Sequence, residues 1–133
     1  MALDPGKTDS VLGKEVHDHL KTLGIETPMT PNVDMLNKQK LSIIEDHFEK
    51  IMETLGLDLS DDSLEDTPRR VAKMYVNEIF YGLDYSNFPK CTKIDNKMGR
   101  TGSFVLEKNI NVQSNCEHHF VVIDGFCHIA YIP

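Results

Sequence analysis

Residues 114–120 read Ser-Asn-Cys-Glu-His-His-Phe, which sets a thiol, a carboxylate and two imidazoles in consecutive positions. Cys116 and His119 stand in the C-x-x-H relation of paired zinc ligands. A catalytic zinc needs at least three protein ligands and a structural zinc usually four, so this pair is incomplete. His118 carries the imidazole best suited to moving protons near neutral pH. Glu117 can orient a ligand or accept a hydrogen bond. The plainer alternative, surface histidines and a buried cysteine beside a strand, is not excluded by spacing alone.

A third ligand can be sought in the same segment. With Asp124-Gly125 read as a type I′ turn, Val121 faces His128, Val122 faces Cys127 and His119 faces Ala130. Period-two alternation then places His119, Val121 and His128 on one face, which makes His128 the in-chain candidate. Cys127 falls on the opposite face with Phe120 and Val122, as a small core residue. Cys91, in Phe-Pro-Lys-Cys-Thr-Lys, has no spacing argument in its favour.

A second constellation is basic. In Thr-Pro-Arg-Arg-Val-Ala-Lys-Met-Tyr, residues 67–75, Arg70 and Lys73 are three apart and Arg69 and Lys73 four apart. They share a helix face one turn from the positive N-terminus, where a phosphate can be clamped. The competing reading is pairing with Asp61, Asp62, Glu65 or Asp66. His17, His19 and His47 lie at scattered helical positions and read as surface residues.

The elements that must position these groups follow from periodicity. Residues 1–10 are rich in breakers and polar residues and read as a disordered leader. Leu12, Val16, Leu20 and Leu23 recur at helical spacing and Gly24 stops the helix. The two prolines of residues 26–34 read as an extended linker. A second helix runs from Asn37 to Leu55, its stripe formed by Leu41, Ile44, Phe48, Ile51, Met52 and Leu55. Thr67 as N-cap and Pro68 in the first turn start a third, which continues through Val71, Met74, Tyr75 and Ile79. The aromatics Phe48, Tyr75, Phe80 and Tyr81 follow helical spacing and read as core or subunit contacts. Residues 103–112 alternate loosely as a strand, and residues 120–132 read as a hairpin around Asp124-Gly125. Helices followed by antiparallel strands make an α+β chain. The expected divisions are a leader at 1–10, a helical region at 11–65 and the first part of a sheet domain at 66–133.

Composition bounds the function. In 133 residues, 14 basic groups face 21 acidic ones, a formal net charge of -7. Nucleic-acid binding is disfavoured, because phosphate affinity needs clustered Lys and Arg, and an anionic ligand requires a local basic pocket. Three cysteines in no framework pattern suit a reduced, cytoplasmic setting. No apolar run reaches the roughly 20 residues of a membrane span, and no signal-peptide core is present. The apolar strand leading to Pro133 would leave an uncovered edge, so an incomplete chain is expected.

Three stretches carry a resemblance: residues 109–133 (NINVQSNCEHHFVVIDGFCHIAYIP), residues 61–89 (DDSLEDTPRRVAKMYVNEIFYGLDYSNFP) and residues 23–34 (LGIETPMTPNVD). Together they resemble GTP cyclohydrolase I from about residue 11 onward. The resemblance implies a tunnelling fold, Zn2+ as cofactor, and conversion of GTP and water to formate and dihydroneopterin triphosphate at the head of tetrahydrofolate and pterin synthesis. It implies that Cys116 and His119 are the first two zinc ligands and that a metal-activated water attacks the guanine ring. His118 would then shuttle protons, Arg70 and Lys73 would hold the triphosphate, and Glu117 would lie on the substrate side. It further implies a homo-oligomeric ring, of decamer size in the intact enzyme, with sites between neighbouring subunits. The family's third ligand, a cysteine of a later segment, has no counterpart here, so these residues are expected to bind zinc weakly and to be inactive by themselves. The rival is a non-catalytic zinc-binding subunit or oligomerisation module closed by His128. A different tunnelling-fold pterin enzyme is disfavoured by the combination of the Cys-Glu-His-His loop with the 67–75 helix.

Overall fold

A computed structural model describes residues 4–95 and 104–132. The expected strand start at Ser103, residues 1–3 of the leader and Pro133 lie outside the described residues. The chain forms two compact units, Met1–Lys90 and Cys91–Pro133. The helix that starts at Thr67 therefore belongs with the N-terminal helices, whereas the sequence reading grouped it with the strands.

In the first unit, α1 spans Ser10–Leu23, capped by the Asp9 carboxylate, which accepts from the backbone N–H groups of Val11 and Leu12. Gly24 ends it in the left-handed region at φ 66°, a conformation that costs a residue without Cβ little. The leader reading is corrected over residues 4–10. Pro5–Lys7 forms a 3-10 turn, and the backbone pairs with residues 88–90 through Asp9 N–H to Phe88 O (2.8 Å) and Lys90 N–H to Lys7 O (2.9 Å). Breaker residues mark a turn here, and partners distant in sequence hold it. The proline linker likewise contains a 3-10 turn, Pro31–Asp34, capped by Thr30.

The second helix, α2, spans Asn37–Thr54, and the third, α3, spans Thr67–Met74. Thr67 is already helical. The cap position is Asp66, whose side chain makes no capping bond and instead accepts from Arg69 Nη2 at 2.7 Å. After Met74 the backbone widens into a π-helical turn, Tyr75–Ile79, and Tyr75 meets Phe80 edge to face with ring centroids 5.6 Å apart. Pro68, Ala72 and Val76, spaced by four, form the buried face of this region, and Met52 of α2 is 3% exposed. Of the expected α2 stripe only Met52 is buried; Leu41, Ile44 and Phe48 are half-buried, and Ile51 and Leu55 are exposed.

The second unit departs from expectation. Strand β1 spans Val105–Asn115 and β2 spans Val122–Tyr131, antiparallel to each other. Asp124 and Gly125 sit inside β2, opposite Gln113 and Val112, and do not form a turn. The reversal falls at residues 116–121, the Cys-Glu-His-His segment itself. A long partner strand was available upstream, and pairing along its whole length satisfies more backbone groups than a short local hairpin could. The loose alternation of β1 has a cause too. Its register shifts between Glu107 and Ile110, where Lys108 and Asn109 oppose His128 and Asn109 takes φ 58°. This bulge resets the phase, so Val105, Ile110 and Val112 share one face with Ile123, Cys127 and Ile129.

Candidate metal centre and phosphate clamp

The metal-type residues occupy one tight reversal. Cys116 N–H donates to Val121 O at 2.8 Å and Phe120 N–H donates to Cys116 O at 2.8 Å, closing the loop on both sides. Phe120 completes it with φ 56°, a left-handed conformation rare for an aromatic residue. Such strain, held where the surrounding hydrogen bonds over-determine it, is a frequent mark of a functional site. The closure turns the side chains of Cys116, His118 and His119 toward one another.

Cys116 Sγ lies 3.8 Å from His119 Nδ1 and 4.0 Å from His118 Nδ1. The edge between sulfur and nitrogen of a tetrahedral zinc is about 3.5–3.6 Å, given bonds of about 2.3 and 2.0 Å. The Cys116–His119 pair is therefore set to receive one ion with little adjustment, and the residues present fit the metal. His118 also approaches the thiol, because it lies in a turn and not on an alternating strand. Its ring stands 6.5 Å from that of His119, tilted by 53°. Cys116 is half-buried, whereas Glu117, His118 and His119 are exposed.

Among the described residues, no group of three or more His, Cys, Asp or Glu side chains converges as a metal site. His128 does not complete one. It lies six residues beyond Val122, about 20 Å along the strand, and its Nδ1 accepts from the backbone N–H of Asn109 at 3.2 Å. Its expected place beside His119 depended on the Asp124-Gly125 turn, which does not form. Cys127 is half-buried on the face of Ile110 and Ile123, opposite to Val122. Cys91 is exposed, and none of the three cysteines forms a disulfide.

The basic constellation lies in the first unit. Arg70 and Lys73 are exposed on α3, on the side away from Ala72 and Val76. Asp66 engages the two arginines with different oxygens, Arg69 at 2.7 Å and Arg70 at 3.7 Å. The pairing reading holds at Asp66, which takes up Arg69 closely and Arg70 loosely. Lys73 makes no ion pair among the described residues. The sequence reading passed over Gly13 and took His17 for a surface residue. Gly13 is buried in α1 against the backbone carbonyl of Tyr85, and the His17 ring stacks on Tyr85 at 4.2 Å and 8°. His17 is therefore a packing residue, identifiable only once Tyr85 is placed.

The α+β chain presents a thiol–imidazole pair on a hairpin reversal in one unit and an exposed basic helix face in the other. The sequence model of the GTP cyclohydrolase I family matches residues 44–133. The chain belongs to that family. It is 57% identical over 114 residues to GTP cyclohydrolase 1 of Aeromonas salmonicida, covering 86% of this chain and 51% of that protein. It is 56% identical over 119 residues to GTP cyclohydrolase 1 of Salmonella arizonae, covering 89% of this chain and 53% of that protein. The chain spans about half the length of the curated relatives it matches. No helix among the described residues is long and apolar enough to cross a membrane.

Proposed function

We propose that the chain supplies the metal-binding loop and part of the phosphate site of a GTP cyclohydrolase I, which hydrolyses GTP to formate and dihydroneopterin triphosphate in a reduced, cytoplasmic setting. The observation that carries the reading is the 3.8 Å approach of Cys116 Sγ to His119 Nδ1, near a tetrahedral ligand edge. Cys116 and His119 would hold Zn2+, with the third ligand supplied from outside the described residues. When bound, zinc supplies a water acidic enough to act as nucleophile near neutral pH.

The chain's own residues do the rest. Arg70 and Lys73 hold the triphosphate, Arg70 by exchanging its loose partner Asp66 for a phosphate oxygen. His118, beside the thiol yet exposed, takes and returns a proton at a purine nitrogen. Glu117, exposed between Cys116 and His118, accepts a hydrogen bond from the substrate. Assembly as a homo-oligomeric ring would bring further residues to the site.

Titration of the 133-residue chain with Co2+ as a zinc surrogate tests the reading. A thiolate-to-metal absorption band is expected, weak in affinity, and lost in Cys116→Ala. Formate release from GTP by the same chain with added zinc is expected to be undetectable. A band that survives Cys116→Ala would overturn the ligand assignment, and robust formate release would overturn the expectation of a partial site.

A further inference from the structure

The bulge in β1 lies far from the metal loop, yet it decides how that loop is built. Below the bulge, Val105 pairs with Tyr131 and Glu107 with Ile129; beyond it, Ile110 pairs with Cys127 and Asn115 with Val122. Extending the first register without the extra residue would pair Asn109 with Cys127 and Cys116 with Phe120. Cys116 would then lie within the ladder, and only Glu117, His118 and His119 would remain to turn the chain. The observed closure, Cys116 against Val121, exists because one residue has been taken up at Asn109. A slip of one residue also exchanges the faces of the strand, so Ile110 and Val112 would leave the side of Ile123 and Ile129.

What holds the extra residue in place is a side chain. Asn109 adopts φ 58°, and its backbone N–H, which has no ladder partner at the bulge, donates to His128 Nδ1 at 3.2 Å. Asparagine tolerates the left-handed region better than most residues, so Asn109 and His128 suit the bulge as a pair. Many apolar residues of this hairpin are exposed, Ile123 at 53% and Ile129 at 50% among them. Burial therefore does little to enforce the register here, and a local latch carries more weight.

We propose that His128 is a positioning residue for the Cys-Glu-His-His loop, acting through the Asn109 bulge to fix the register in which Cys116 and His119 face each other. The inference rests on the proposed metal role of that loop. An acceptor at Nδ1 requires the ring proton on Nε2, so His128 is held as a single tautomer when neutral.

The test uses the whole chain in three forms: unaltered, His128→Ala, and His128→Asn, whose amide oxygen sits where Nδ1 does. Three readouts are taken: cross-strand nuclear Overhauser contacts, the nitrogen-15 tautomer signature of His128, and Co2+ affinity. The unaltered chain is expected to show Ile110–Cys127 pairing and the Nε2–H tautomer. His128→Ala is expected to lose the pairing and to bind Co2+ about five-fold more weakly, the size of one exposed hydrogen bond. His128→Asn is expected to restore both. Should His128→Ala lose its hairpin signals altogether, rescue by His128→Asn would still support the latch and failure of rescue would overturn it. Unchanged pairing and affinity in His128→Ala, or the opposite tautomer in the unaltered chain, would also overturn it. If the unaltered chain gives no Co2+ band, the metal reading fails, while the pairing and tautomer arms still decide the latch.

Discussion

The helical unit and the hairpin unit carry different halves of the proposed chemistry and are held by different forces. In the helices, Met52, Ala72 and Val76 are buried, and Arg70 and Lys73 project from the outer side of an element fixed by that packing. In the hairpin no described residue is buried, and Cys116 owes its place to two backbone hydrogen bonds and a left-handed Phe120. A basic clamp on a helix inherits its geometry from a core. The metal loop gains its geometry from local closure and register. The two should therefore fail independently.

Gly13→Ala gives the largest separation. A Cβ there would lie 1.9 Å from the Tyr85 carbonyl oxygen, a backbone atom that cannot swing aside. A loss of about 3 kcal/mol in unfolding free energy is expected, read from denaturant titration of the helical signal. Cross-strand contacts of the hairpin should persist; their disappearance would show that the two units unfold together and would break the comparison.

Arg70→Ala and Lys73→Ala should act on the clamp with little effect on the core. Tripolyphosphate binding, measured calorimetrically at low salt, is expected to weaken by about 1 kcal/mol for each, a factor of about five. The Co2+ band at Cys116 should not move. Unchanged tripolyphosphate binding in both variants would remove α3 from the phosphate site.

The smallest effect concerns the turn between α2 and α3. Asp58 and Asp61 accept from the hydroxyl and backbone N–H of Ser60 and Ser63, which holds both carboxyls below their ordinary range. Because the folded values are depressed, the contribution is present above the usual carboxylate range and disappears as pH falls through the folded values. Carboxyl NMR titration should find both groups protonating below the ordinary value of 3.8, and Ser60→Ala should return Asp58 toward it.

Much of the helical unit was legible in the sequence. Leu12, Val16, Leu20 and Leu23 with Gly24 predicted α1, and the apolar stripe from Leu41 to Leu55 predicted α2 to within a residue. Helical periodicity is a property of neighbouring residues, so it survives without knowledge of the rest of the chain. The cap at α3 was misplaced by one residue, from Asp66 to Thr67, because both are good caps and Asp66 is drawn instead to Arg69. The hairpin was misread for a different reason. Asp-Gly is a strong local turn signal, yet β1 offered a longer ladder and Gly125 was absorbed opposite Val112.

By itself the amino-acid sequence determined the chemical inventory: a thiol three residues from an imidazole, a basic pair one helical turn apart, and an acidic chain around them. It also determined the order of helices before strands, since periodicity is written locally. Only the tertiary structure decided that the thiol and imidazoles sit in a reversal, that His128 serves the bulge at Asn109, and that residues 7–9 pair with 88–90. Those outcomes depend on which distant strand or segment supplies backbone partners, and pairing between distant segments is set by competition over the whole chain.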